Sequence, residues 1–345
     1  MKGYLVVYDF VEHINLVIGT CLNVLLVFLA SKYTRKDVGS YKYLIILFAI
    51  NNITYMGVQQ LIREACYIAV TPQYVFEFQR LLMHDRMMVL FTVGPLGHLK
   101  YSASTHACLF TVTFMVIDYH FLYRRWAVVQ PDLTRLFTTP WFILVLIAVT
   151  ATEMAAWFLL CQFTYVPNEA GAMEMDAVLR DKYDLTRDDV SWFMADYVRD
   201  GQINWLPVAG LGGFMTIMTV CYSFMVISGT TTIQFLRRFT AMSVQTKTMH
   251  YQLLKILFLQ TIIPLLFFYV PAGFSLFIPL AGLPFDVFVD STSFLISFYP
   301  ILDALVVIVF MKDYRMAIAH ALKPRKVVPN ASVTLGLSMS TVATQ

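Results

Sequence analysis

The chain has 345 residues, 58% of them hydrophobic and only 14% charged, with a formal net charge of +3 and a mean hydropathy of +0.65. A soluble protein of this size carries about 25% charged residues, so a water-soluble globular fold is excluded. The apolar residues gather instead into seven runs, each long enough for a helix that crosses a bilayer, which needs about 20 residues.

The first run, Ile14–Ala30, is followed by its basic cluster, Lys32, Arg35 and Lys36. A signal peptide has the opposite order and an apolar core of about 7–15 residues, so this run reads as a retained membrane helix. It contains Asn23, and the second run, Tyr43–Ile62, contains Asn51 and Asn52. Asparagines at this depth are expected to hydrogen-bond between neighbouring helices, which makes the sequon at Asn52 spurious. Arg63–Gly97 reads as a long outer loop, because its apolar piece Met87–Val93 is too short to cross. The third run, Leu99–Leu122, meets Tyr123-Arg124-Arg125 at its end; basic residues there serve as a stop signal in many membrane helices.

The fourth run, Trp141–Cys161, holds Glu153. The segment after it, Gln162–Trp205, contains nine acids and four basic residues interleaved with Tyr, Trp, Phe and Met. It is either a loop kept in solution by charge or a partly packed lid over a pocket. In the fifth run, Leu206–Leu236, Gly210, Gly212 and Gly213 are small residues of the kind that let helices approach closely. The sixth, Leu253–Ile278, carries Gln260, Pro264 and Pro271 and is expected to bend, since proline removes a backbone donor. The seventh, Ser291–Met311, contains Tyr299-Pro300 and Asp303, an acid that must find a partner inside the bundle. Beyond Phe310, Tyr314, Ile318 and Leu322 recur on one face, which predicts a short amphipathic helix at the inner surface ending at Pro324. Residues 1–322 thus form one all-α membrane domain of seven helices plus a short eighth, and 323–345 a disordered cytoplasmic tail. The five cysteines show no metal-ligand spacing. Cys66 and Cys161 fall near the outer helix ends, where they either pair or pack. No metal, cofactor or nucleic acid is expected.

Cytoplasmic loops carry the excess of Lys and Arg. With the N-terminus outside, the inner segments hold 16 of the 25 basic residues against three acids, and the outer ones nine against 16. Every inner segment is basic, so the C-terminus is expected in the cytoplasm.

Several motifs carry a family likeness. They are Gly39-Ser40-Tyr41-Lys42-Tyr43-Leu44, Phe121-Leu122-Tyr123-Arg124-Arg125, Gln252-Leu253-Leu254-Lys255 and Leu259-Gln260-Thr261-Ile262-Ile263-Pro264. Tyr269-Val270-Pro271-Ala272-Gly273, Tyr299-Pro300-Ile301-Leu302-Asp303 and Lys312-Asp313-Tyr314-Arg315 complete the set. From the first helix to the tail helix the chain resembles the nematode Str-type serpentine chemoreceptors, the group that includes the diacetyl odorant receptor. That resemblance implies chemical detection at the sensory-cilium membrane of chemosensory neurons and signalling through a heterotrimeric G protein, with arrestin as a further partner. It implies that Arg124 is a switch arginine and that Tyr123, Arg125, Arg237, Arg238, Lys247, Lys255, Pro264, Tyr299, Pro300 and Asp303 serve activation or coupling. Arg124, Arg237, Arg238, Lys247 and Lys255 are expected around one inner cavity.

Three residues depart from the wider rhodopsin-like pattern. Asn52 replaces an acid that helps bind sodium, the large outer loop lacks its tethering cysteine, and Tyr123 replaces the acid that locks the arginine. Competing classes fit less well. An olfactory-type channel has its N-terminus inside, against the charge bias, and a transporter usually shows two related halves, which this chain lacks. No zinc-enzyme motif is present, and enzyme activity is not expected.

The ligand site follows from helix geometry. Moving 18 residues back from Arg124 gives five turns and about 27 Å, which reaches His106 on the same helix face. Ala103, Ala107, Phe110 and Thr111 flank it, and Phe267, Phe268 and Phe274 of the sixth run could form the opposite wall. The nearest acid is Glu153, where amine receptors of this architecture place a carboxylate at the His106 site. Such a pocket suits a small, neutral, largely apolar molecule that accepts a hydrogen bond. The alternative is that His106 packs against the second or fourth helix.

Overall fold

The computed structural model describes residues 2–34, 40–62, 64–70, 86–92, 94–180, 184–199, 201–239, 242–281 and 286–322. For 2–9, 64–70, 86–87, 170, 171, 174, 178 and 286–294 only the backbone is described. The tail 323–345 and the side chain of Cys66 therefore lie outside the described residues, as do Arg35 and Lys36.

Seven long helices form the bundle. They are α1 (Lys2–Tyr33), α2 (Tyr41–Ile62), α3 (Ser102–Val129), α4 (Pro140–Thr164), α5 (Trp205–Arg238), α6 (Val244–Ala281) and α7 (Asp286–Phe310). The first six meet the length and hydropathy of a membrane span within their described residues. α7 turns by 86° into α8 (Lys312–Leu322), where Tyr314 is fully buried and its hydroxyl meets Thr34 Oγ1 at 2.8 Å. α8 is the expected amphipathic helix, docked against the end of α1.

Burial and hydropathy run in opposite directions, as they must in a bilayer. α3 has a mean hydropathy of 1.2 and 72% of its span buried, whereas α4 has 2.2 and none. α3 is the central post, so it can carry His106, Asp118, His120 and Arg124, all buried. α4 is nearly uniform in apolar residues because Leu144, Ile147 and their neighbours face hydrocarbon. α3 also runs seven residues past the expected end of its run, to Val129, which places Arg124 well inside the helix.

α6 loses regular α-helical geometry where its prolines sit. Its α-helical geometry gives way at Leu265–Tyr269 to one π-helical turn set between Pro264 and Pro271. A proline leaves a carbonyl without its N–H partner, and a π-turn is one of the few ways to absorb such a break. In α5 the small residues act selectively. A Cβ on Gly210 would collide with Thr164 of α4 and one on Gly213 would lie 2.9 Å from Leu160, whereas Gly212 has nothing within 4 Å.

The long segments expected as outer loops contain a four-stranded antiparallel sheet that sequence reading did not resolve. Its strands, in spatial order, are β1 (Glu64–Val70), β2 (Arg86–Thr92), β3 (Trp192–Arg199) and β4 (Gln202–Ile203). The apolar piece that was too short to span is thus the central strand β2, paired Leu90 to Phe193 and Phe91 to Trp192. Alternation sorts its residues in the usual period of two. Met88, with Phe193, Ala195 and Tyr197, packs down on the bundle. Val89, Phe91 and Met194 pack upward on Met175 and Leu179 of a short helix that begins at Glu169. Arg187 and Asp176 form an ion pair of 2.6 Å over this layer. The acidic segment is therefore a folded lid. Gly201, at φ 74°, supplies the left-handed conformation that the β3–β4 turn needs.

Candidate ligand-binding site

Directly beneath the sheet, α3, α4, α5, α6 and α7 surround a cavity of about 860 Å³. α3 contributes His106, Ala107 and Phe110; α4 contributes Trp157 and Cys161; the sheet contributes Met88, Leu90 and Phe193. From α5 come Leu211, Phe214, Met215 and Tyr222, and from α6 Phe268, Tyr269, Gly273 and Phe274. The volume is in the range of small-molecule sites, and an apolar wall with a few polar groups is what such sites present. Those polar groups include His106, the indole of Trp157, the phenols of Tyr165, Tyr222 and Tyr269, and the hydroxyls of Thr219, Ser223 and Ser275. Burial raises the pKa of Tyr165, just past the end of α4, above the ordinary phenol range, so its hydroxyl stays protonated.

Of the residues expected at the ligand site, His106, Ala107, Phe110, Phe268 and Phe274 come together on this wall. The other four lie off it. Ala103 is buried in the core between α3 and the sheet. The hydroxyl of Thr111 donates to the Cys108 carbonyl (2.8 Å). Phe267 packs on the aromatic cluster, and Glu153 turns toward Cys221, whose thiol lies 3.7 Å from its Oε1. Sequence reasoning missed the α5 residues and the strands. The helical faces of α5 were open to reading, but the strands reach the cavity only through pairing.

The cavity floor is a continuous aromatic stack. Phe110 lies parallel to Phe268 with ring centroids 3.4 Å apart, and Tyr269 sits 4.0 Å from Phe114. Tyr55 of α2 touches His106 (5.5 Å), Phe110 (5.4 Å) and Tyr299 of α7 (5.4 Å). His106 therefore both lines the cavity and packs against α2. Below the stack comes a polar layer. Asn52 and Gln260 donate to Asp303 Oδ2 (3.2 and 3.3 Å), Asn52 also donates to Asn23 Oδ1 (3.3 Å), and Asn23 donates to the Pro300 carbonyl (3.2 Å). Thr113 meets the Tyr299 hydroxyl at 3.3 Å. Two helices, α2 and α6, thus donate to Oδ2 of one fully buried carboxylate on α7, a costly group in hydrocarbon, while its Oδ1 has no hydrogen-bond partner among the described residues.

At the far end of α3, Arg124 is 2% exposed. Its guanidinium carbon lies 3.4 Å from the Tyr41 ring centroid and 6.0 Å from that of Tyr123. The aromatic face of Tyr41, at the start of α2, takes the place of the missing acid by a cation–π contact. Arg124 does not snorkel; of the other basic residues expected near it, Arg237, Arg238 and Lys255 are exposed, and Arg125 and Lys247 half-buried. Pro264 and Pro300 mark the irregular stretch of α6 and the polar layer of α7.

The family model described as serpentine type 7TM GPCR chemoreceptor Str matches residues 8–319. Among curated proteins, the chain is 26% identical to serpentine receptor class r-10 of Caenorhabditis briggsae, over 99% of this chain and 98% of that one. It is likewise 26% identical to serpentine receptor class r-10 of Caenorhabditis elegans, over 94% and 93%, and 23% identical to the C. elegans G-protein coupled receptor str-33, over 86% of each. With the apolar helices and the match along nearly the whole chain, this multi-pass membrane protein belongs to the Str family of seven-transmembrane GPCR chemoreceptors.

Proposed function

We propose that this receptor detects a small, neutral, largely apolar molecule in the cavity beneath the sheet and signals through a heterotrimeric G protein at the Arg124 end. The observation that carries this reading is the cavity itself: a roofed apolar chamber whose floor stacks without a break onto Tyr299, one helical turn from Asp303. Among the described residues no lining side chain is acidic or basic apart from His106, which argues against a cationic ligand. One relative is named a G-protein coupled receptor, and the basic residues around Arg124 suit a cytoplasmic partner. In this reading the sheet faces outward, the membrane is the plasma membrane of a sensory cilium, and the serine- and threonine-bearing tail is where arrestin would act.

A ligand screen with a second-messenger readout tests the reading, followed by His106→Phe. Removing one buried hydrogen-bonding group costs about 1–3 kcal/mol, so the agonist dose–response should move by about tenfold or more while surface expression holds. Quaternary amines should fail as agonists. An unchanged dose–response removes His106 from the site, and a current that persists without G protein returns the channel reading.

A further inference from the structure

The two sides of the cavity are covered very differently. On the sheet side, Met88 and Tyr165 are each 1% exposed and Phe193 is 7% exposed. On the side between α5 and α6, Met215, Val226, Ile227, Val270, Phe274 and Phe277 line the same cavity, yet each is 38% to 58% exposed. Side chains that belong to a cavity wall and are half exposed mark an opening. Here it lies within the apolar lengths of two membrane helices, and its rim is mostly carbon and sulfur, with two exposed hydroxyls on α5, Ser223 and Thr219, the latter donating to the Met215 carbonyl.

Gly273 stands in the gap. A Cβ added there would meet only Met215 Cε, across the opening on α5, at 4.0 Å. Glycine inside a helix is about 1 kcal/mol worse than alanine, and no neighbour on α6 or α7 needs it for close packing. What its missing side chain does provide is clearance between the two helices. The π-turn at Leu265–Tyr269 lies just below it on α6.

We propose that the ligand enters and leaves sideways, from the hydrocarbon of the bilayer, through a portal between α5 and α6 framed by Met215, Val226, Gly273, Phe274 and Phe277. This rests on reading the cavity as the ligand site. The ligand class narrows accordingly to uncharged molecules that dissolve in the membrane, because an ion would have to shed its hydration shell to take this route. The bilayer concentrates such molecules before the receptor meets them.

The test uses the full chain in phosphatidylcholine nanodiscs. The probe is a phosphatidylcholine with a maleimide at the end of one acyl chain, which cannot leave the bilayer. Ala107→Cys places a thiol on the α3 wall, and modification of residue 107 is followed by peptide mass spectrometry. The lipid-borne maleimide should modify it. Gly273→Phe, or from the opposite rim Met215→Trp, should slow that reaction by about tenfold or more, since a filled interior leaves few gaps larger than a water molecule. A control thiol, Val220→Cys, sits on α5 at a residue 63% exposed and should react equally in both gap-filled variants. Three results would each overturn the portal: residue 107 unmodified while residue 220 reacts, rates indifferent to both substitutions, or equally fast modification by a maleimide on a hydrophilic polymer in water. None of these touches the cavity reading, which falls instead with an unchanged dose–response in His106→Phe.

Discussion

Arg124 shows how one replaced residue is compensated elsewhere. With tyrosine in place of the preceding acid, its guanidinium would be a buried cation with no counter-charge, an expensive arrangement. The Tyr41 face at 3.4 Å supplies a weaker hold, worth about 1 kcal/mol at an exposed site and about 2 when desolvated. A lock of that size biases a two-state equilibrium without freezing it, which is what a switch needs. Tyr41→Leu should therefore raise ligand-free signalling by a factor of about 5–30, and Tyr41→Phe, which keeps the ring, by much less. Arg124→Ala should leave surface expression intact and abolish signalling; normal signalling at normal expression would make Arg124 a purely structural residue. The arginine was legible in the sequence as part of Phe121-Leu122-Tyr123-Arg124-Arg125. Its partner was not, because Tyr41 belongs to another helix whose rotation only packing fixes. The same limit hid the direction of Glu153, the nearest candidate acid, on another helix whose rotation the sequence leaves open; it faces Cys221.

At the scale of elements, helices were legible and strands were not. A membrane span announces itself by length, and all seven runs became helices, most of them longer than their apolar cores because polar flanks can continue a helix into the interface. The two prolines of α6 likewise pointed to an irregular helix, though not to the π-helical turn that lies between them. Strand β2 is seven residues long, and its neighbours are β1 and a strand more than 100 residues away; nothing local specifies such pairing. The glycines of α5 separate real contacts from mere composition. Gly210→Val should force α5 off α4 at Thr164, lowering surface expression and the thermal midpoint of the purified receptor, whereas Gly212→Val faces open space and should do neither. Equal damage from both would mean that backbone flexibility, and not close approach, is what these positions supply.

The whole molecule is organised by a charge asymmetry that the sequence carries openly, with basic residues gathered at the Arg124 end and most acids at the sheet end. It predicts that an epitope at Met1 is stained on intact cells and one at Gln345 only after permeabilisation; staining of Gln345 on intact cells would reverse the bundle and remove the G-protein reading with it. Between these ends, ligand cavity, aromatic stack, polar layer and Arg124 follow one another along α3, so a shift of α6 or α7 at the cavity has a packed route to the arginine.

The sheet also sets an order of events during synthesis. β2 leaves the ribosome before α3 and α4, but its partner β3 follows both of them. Until residues 192–199 have been made, β2 has one unpaired edge, and its apolar Val89 and Phe91 lack the layer that later covers them. The roof of the cavity is thus among the last parts of the sheet end to form, after four helices are already in the bilayer. With the sheet facing outward, as proposed, a nascent receptor stalled before β3 would present an open strand edge to the lumen, the kind of surface on which chaperones act and on which chains aggregate. Defects in β3 should therefore appear first as slow maturation in the secretory pathway, and only secondarily as altered sensitivity in those receptors that reach the surface.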